Sequence, residues 1–245
     1  MKMFEVGGCV RDRILGLKSK DIDFSVVMDN EENHTTDETF NLMTEALSAL
    51  GFSIFVANPE FLTVRAQFPR EGDTYIAYGG MTADFVLARQ DGAYTDGRRP
   101  DEVFAGTLED DLARRDFTMN AIALDPATGE YIDPHDGMQD IHKKIIRCVG
   151  SAEARIREDA LRALRALRFV ITKDFMVDEE LLDVLRSDWL PPLLSTVSKE
   201  RKRDELHKMF HKDTIASMNI LYAMKRTFRE AIFTDGLWLE PTLKS

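Results

Sequence analysis

Residues 7–27, GGCVRDRILGLKSKDIDFSVV, constrain the chain more tightly than any other stretch. A short apolar run at residues 3–6 is broken by Gly7-Gly8, after which Val10, Ile14 and Leu17 recur at helical spacing. The pattern predicts a strand, a tight turn and a helix. Paired glycines let the backbone approach a ligand closely, and the start of the following helix turns unpaired N–H groups and the positive end of its dipole toward the same place. Such a turn suits phosphate.

The second half of the stretch adds two acids. Asp21 and Asp23 flank Ile22, and the run continues through Phe24, Val26 and Val27. In a strand both carboxylates then leave one face while Ile22 turns to the core. Like charges held side by side repel unless a divalent cation lies between them, and paired oxygen ligands holding hydrated Mg²⁺ against phosphates are a common use of that arrangement. Asp-x-Asp alone also occurs on solvated strand edges; beside a Gly-Gly turn it indicates metal-dependent phosphate chemistry.

A chain of 245 residues with 44% hydrophobic content can bury one large core or two ordinary ones. No apolar run approaches the roughly 20 residues of a membrane span, and the sequence opens on a strand pattern instead of a targeting signal, so a cytoplasmic location is expected. Cys9 and Cys148 are too few for a disulfide framework or a zinc cluster and are expected to be reduced packing residues. The net charge of −11 excludes wholesale electrostatic wrapping of nucleic acid but not a local basic face. Residues 199–212, KERKRDELHKMFHK, offer such a face, with Arg201, Lys202 and Lys208 as candidate RNA contacts, although an exposed helix has the same pattern.

Farther along, Thr35 and Glu38 have capping-box spacing before a helix that carries Phe40, Met43, Leu47 and Leu50 and stops at Gly51. Strands are expected at residues 53–56 and 61–68, and within 75–88, where Met81, Ala83, Phe85 and Leu87 alternate with Thr82, Asp84 and Val86. Asp84 in that strand is either a hydrogen-bonded polar residue or a third metal-associated carboxylate. RQDGAYTDGRRP, residues 89–100, has loop composition, with Arg89, Asp91 and Tyr94 in a segment able to close over substrate. TLEDDLARRD predicts a short capped helix, and its Arg114 and Arg115 suit either structural ion pairs or a triphosphate. Beyond Gly150 strand signals fade. Helical spacing covers residues 152–170, 178–185, 198–210, 213–224 and 227–233, with Pro191-Pro192 among the breaks. The expected division is a mixed α/β part, 1–147, and a helical part, 148–245.

The ordered motifs GGCVRD, DID, RRDFTMNA, DPHDGMQDI and EDALRALRALRF resemble the class II tRNA nucleotidyltransferase and bacterial poly(A) polymerase family, from Phe4 to about Phe210. The resemblance implies an α+β fold: a polymerase-β-like head, a mixed sheet backed by helices, followed by an all-helical neck and body. It implies Mg²⁺ in a two-metal site at Asp21 and Asp23, and nucleotide contacts at Gly7, Gly8, Arg11, Arg115, Asp116, Asn120, Asp159, Arg162 and Arg165. The implied activity is template-independent addition of C and A to tRNA 3′ ends from CTP and ATP, with pyrophosphate released. Addition of A or of C alone to tRNA or another RNA, and a non-catalytic RNA-binding module, are the alternatives. Asp159 and Arg162 fall where the family reads the incoming base. Three residues apart, they would share one helix face. Cytosine and adenine each place an exocyclic amine beside an accepting ring nitrogen, whereas uracil and guanine present a carbonyl beside an N–H. An Asp acceptor with an Arg donor therefore matches C and A; the competing reading is a surface ion pair of Arg162 with Glu158.

Overall fold

β1 (Lys2–Val6) runs into α1 (Gly8–Ile14) through Gly7, whose φ of 78° requires a glycine at the turn. The computed structural model describes residues 1–19, 21–29, 34–70, 76–92 and 102–233. After α1 come β2 (Asp23–Val27), α2 (Thr36–Ala49), β3 (Ser53–Asn58), β4 (Thr63–Gln67) and β5 (Thr82–Leu87). The hairpin of β6 (Arg89–Asp91) and β7 (Val103–Ala105) precedes α3 (Leu108–Ala113), β8 (Ala123–Leu124), β9 (Tyr131–Ile132) and α4 (Gly137–Lys143). The fold is α+β, and the chain divides into two compact units between Ile141 and His142.

In the first unit seven strands form one mixed sheet in the order β3-β4-β5-β2-β1-β8-β9. β2 and β5 pair in parallel, and the other described ladders of this sheet are antiparallel. The alternation expected for β5 holds: Ala83, Phe85 and Leu87 are buried, while Thr82, Asp84 and Val86 take the other face. Met81, expected on the apolar side, lies outside the strand and is exposed. Beneath the buried face, Phe24, Phe52, Phe68, Tyr78 and Phe85 meet Phe40, Met43 and Leu47 of α2. Phe24 and Phe85, neighbours in register, stack with centroids 5.3 Å apart. The capping box of Thr35 and Glu38 is present, as is one at Thr107 and Asp110 that starts α3. Glu5, fully buried in β1, accepts through Oε1 from Arg13 Nη2 at 2.7 Å and from the Tyr78 hydroxyl. Residues 89–91, expected in a loop, are instead strand, because their backbone pairs with residues 103–105. Tyr94 lies outside the described residues.

The second unit contains β10 (Ile145–Ile146), α5 (Ala152–Glu158), α6 (Leu161–Lys173), β11 (Met176–Val177), α7 (Glu179–Leu185), α8 (Leu190–Thr196), α9 (Lys199–Lys212), α10 (Thr214–Ala223) and α11 (Arg226–Phe233). Three local expectations change. The single helix expected over 152–170 breaks at Asp159, whose backbone is extended (φ −153°, ψ 102°). Its side chain accepts the Leu161 N–H at 3.1 Å and so starts a second helix. Pro191-Pro192, expected as a break, occupies the first turn of α8, where a missing N–H costs nothing. β11 appears beyond Gly150, where strand signals fade, and pairs in parallel with β10, which lies in the apolar run before that glycine. Along α6, Leu161, Ala163, Leu164, Ala166, Leu167 and Phe169 are buried, which leaves its arginines on the opposite face.

Candidate active site

Sheet register assembles the acidic part of the site. Asp23, the first residue of β2, is the Cα partner of Val6 on one side and of Asp84 on the other. Partners across a ladder project from the same face, so Asp23 and Asp84 stand side by side. Ile22 turns into the core as expected, and Asp21 is exposed next to a cleft of about 270 Å³ shared with Arg65, Thr82 and Asp84. Burial, then the charge of Asp84 and that of Asp21, push the Asp23 carboxyl above its ordinary range, while Arg115 and Arg65 pull against them. A divalent cation would relieve that repulsion, so the donor set fits a metal. Among the described residues no three acidic, histidine or cysteine side chains converge tightly enough to hold an ion unaided.

The opposite flank is built by the RRD segment. Arg115 is so near the glycine turn that a Cβ on Gly7 would lie 3.0 Å from its Nη1. Asp111, with 1% of its side chain exposed, fixes both arginines: Oδ2 accepts from Arg115 Nη2 at 2.8 Å, and Oδ1 accepts from Arg114 Nε and Nη2 at 3.0 and 2.6 Å. Burial alone would raise its carboxyl, but the Arg115 and Arg114 charges outweigh burial and hold it below the ordinary range. Asp116 accepts the Phe117 N–H at 2.9 Å and the Asn120 Nδ2 at 3.0 Å. Asn120 Oδ1 in turn accepts from Arg11 Nη1 at 2.7 Å, and Arg11 Nε and Nη2 also bond Asp12. Arg11 is buried, so it orders Asn120 instead of facing open solvent. Asp91 is ion-paired to Arg89 at 3.0 Å, with Arg114 Nη1 4.0 Å away.

Residues of the second unit expected to read the base are held by their own partners. Asp159 Oδ2 accepts from Arg201 Nη2 at 2.5 Å, and Oδ1 from Nη1 at 3.3 Å. Arg162 Nη1 donates to Glu158 Oε2 at 2.6 Å and to the Arg155 carbonyl at 2.9 Å. The ion pair of Arg162 with Glu158 is therefore real, and Asp159 does not share a helix face with Arg162, since it lies in the break between α5 and α6. Arg165 and Arg168 both reach Glu205 of α9, Arg165 at 3.8 Å. Of the three expected RNA contacts, Arg201 is committed to Asp159 and Lys208 is exposed beside Glu205 at 3.7 Å. Lys202 is a correction. It is 2% exposed and donates to the Ala231 carbonyl at 3.0 Å, capping the end of α11, because α9 turns that face toward its neighbours.

Sequence reasoning passed over Asp111, Gly137 and Arg65. The spacing of Asp111 to Arg114 and Arg115, three and four residues, was a usable signal. Gly137 was not readable as a packing residue: a Cβ there would lie 2.2 Å from the Thr118 carbonyl oxygen. Arg65 enters the site only through strand register.

A glycine turn, an arginine beside it and carboxylates on the neighbouring strand of a mixed sheet define a head of the nucleotidyltransferase fold. The chain belongs to the poly(A) polymerase head domain family, whose model matches residues 3–147. It is 38% identical over 237 residues to the CCA-adding enzyme of Geobacillus thermodenitrificans, covering 96% of this chain and 52% of that protein. With the enzyme of Geobacillus stearothermophilus the identity is 37%, over 83% of this chain and 44% of the relative. Among solved structures, the Bacillus stearothermophilus CCA-adding enzyme in complex with CTP matches with a TM-score of 0.72 at 30% identity, covering 94% of this chain and 49% of that one. The Thermotoga maritima CCA-adding enzyme complexed with tRNA matches at 0.70 and 25% identity, over 96% and 48%. The chain spans about half the length of the curated relatives it matches.

Proposed function

We propose that this protein is a template-independent RNA nucleotidyltransferase that adds C and A to tRNA 3′ ends from CTP and ATP. The observation that carries the reading is the placement of Asp23 between two flanks, the Gly7-Gly8 turn with Arg115 on one side and Asp84 on the other. Relatives solved with CTP and with tRNA support the choice of substrates. The RNA 3′-oxygen forms a bond to the α-phosphorus as the bond from that phosphorus to the oxygen bridging to the β-phosphate breaks, so pyrophosphate leaves and the hydroxyl proton passes to solvent. Asp21 and Asp23 would hold Mg²⁺, in a two-metal arrangement, and the bound ions supply Lewis acidity and neutralise charge on the phosphates. Arg115 and the glycine turn hold the leaving phosphates, with Asp111 orienting Arg115. Asp116 and Asn120, locked together, form the ribose-facing part of the RRD segment. Base selection without a template would require Asp159 to exchange Arg201, and Arg162 to exchange Glu158, for the amine and adjacent ring nitrogen of cytosine or adenine.

The test is to incubate purified protein with Mg²⁺, a tRNA ending before CCA, and each NTP singly and in pairs. Extension by C from CTP, then by A when ATP is added, with UTP and GTP unused, is the expected pattern. Addition of A alone would make this a tailing enzyme; tight RNA binding without turnover would make it a binding module.

A further inference from the structure

Asp23 separates two flanks of different chemistry. Toward β1 it is in register with Val6, which precedes the glycine turn and Arg115. Toward β5 it is in register with Asp84, and Asp84 with Arg65 of β4, so Arg65, Asp84 and Asp23 form one row across three strands on a single face. The cleft beside that row has Arg65 as the one cation among the described residues lining it. The Arg65 side chain is 56% exposed, and its Nε is 3.8 Å from Asp84 Oδ1, beyond hydrogen-bonding distance. An ion pair so open is weak in water, and it keeps the guanidinium at the rim without committing it.

In-line displacement puts the entering and leaving oxygens on opposite sides of phosphorus. On the function proposed above, on which this inference rests, pyrophosphate departs on the Gly7 and Arg115 flank. The 3′-hydroxyl therefore enters from the Arg65 flank. The strand carrying that hydroxyl also brings phosphodiester anions toward a wall that holds Asp21, Asp23 and Asp84. Without a cation there, the approach is repulsive.

We propose that Arg65 binds a backbone phosphate of the RNA strand being extended, exchanging Asp84 for that phosphate. A guanidinium presents two parallel N–H groups to two phosphate oxygens, a better match than its present contact. The exchange withdraws this weak contact from Asp84, beside Asp23, as RNA is seated. Arg65 is thus a substrate-positioning residue that links arrival of the RNA to completion of the acidic site.

The test measures binding of a fluorescein-labelled tRNA ending before CCA, by anisotropy in EDTA without NTP, over a range of KCl concentrations. Arg65→Ala should weaken binding about tenfold and lower the slope of log affinity against log salt by about 0.7, one single-stranded phosphate. Arg65→Lys should restore the slope and part of the affinity. KM for RNA rises, while KM for CTP and the melting temperature stay unchanged because Arg65 is on the surface. RNAs bearing one methylphosphonate linkage at successive positions near the 3′ end separate a contact from general charge: one position should cost the wild type about tenfold and the alanine variant nothing. Unchanged affinity and slope in Arg65→Ala, or a loss spread evenly over all linkages, overturns the proposal. A wild-type protein that neither binds nor extends RNA refutes the function itself, whereas a wild type that extends RNA beside an indistinguishable variant refutes only the role of Arg65.

Discussion

Replacing Asp111 by Asn tests whether the triphosphate flank is held together by one buried carboxylate. The change takes the negative charge from the acceptor of three hydrogen bonds, at 2.6, 2.8 and 3.0 Å, so that one arginine keeps a neutral carbonyl oxygen and the other faces an NH2 donor. Breaking a buried ion pair on one side costs about 3–5 kcal/mol. Arg114 and Arg115 keep 22% and 20% of their side chains exposed, so water recovers part of their solvation and the lower end, about 3 kcal/mol, applies. For a unit of this size that corresponds to a fall in melting temperature of about 6–12 °C by calorimetry. With Arg115 no longer fixed, KM for CTP should rise about tenfold while KM for RNA holds. The pH dependence gives an independent reading. The Asp111 carboxyl is depressed in the folded protein relative to an unfolded value of about 3.9. Its stabilisation is therefore complete above that value and disappears as pH falls through the folded pKa. The difference in melting temperature between wild type and Asp111→Asn should be constant near neutrality and shrink only below about pH 4. A variant melting within 2 °C of wild type, with CTP binding intact, would refute the claim that this carboxylate organises the arginines.

Asp23→Ala should abolish transfer yet melt at the same or a higher temperature, because burial and the neighbouring Asp84 and Asp21 charges already disfavour the carboxylate; more than about a tenth of the wild-type rate, 1.4 kcal/mol in barrier, would remove it from the metal site. Arg162→Ala should reduce discrimination of CTP and ATP against UTP and GTP by one to two orders of magnitude, roughly 1–3 kcal/mol. It should also lower the melting temperature, since Glu158 loses the nearer of its two arginine partners, at 2.6 Å, and keeps Arg155 at 3.0 Å. Unchanged kcat/KM ratios with a lowered melt would leave Arg162 as a structural residue only. Gly137→Ala should destabilise the first unit by about 1–3 kcal/mol or more, because the new methyl meets the Thr118 carbonyl at 2.2 Å and must displace the turn that carries Asn120; an unaltered melting curve would contradict that packing.

Local patterns carried much of this fold into the sequence. The glycine turn, both capping boxes and the alternation of β5 depend on residues within a few positions of one another, so their signals survive without tertiary context. The break at Asp159 was hidden because an uninterrupted run of Ala, Leu and Arg favours helix, and a single side chain bonded to the Leu161 N–H outweighs that propensity. Lys202 illustrates a different limit. A basic run predicts exposure for each member, but α9 buries one side, and a lysine can be accepted there because a helix-terminal carbonyl awaits its ammonium. Arg65 and Asp84 were unreadable as partners, since strand pairing is not encoded in the neighbourhood of either residue.

The in-phase pairing of Asp23 with Asp84 also limits how such a gene varies in length. Between β2 and β5 the chain leaves the sheet for α2 and re-enters it as the edge strands β3 and β4, with turns joining these elements. Lineages can lengthen or trim those turns at little energetic cost, because closing a longer loop adds only about 0.6 kcal/mol per doubling. A one-codon insertion or deletion inside β5 is different in kind. It exchanges the two faces of the strand, turning Asp84 against Phe24 and Phe52 and setting Phe85 beside the substrate phosphates. Indels in that six-residue strand should be selected against as strictly as replacement of the aspartates themselves.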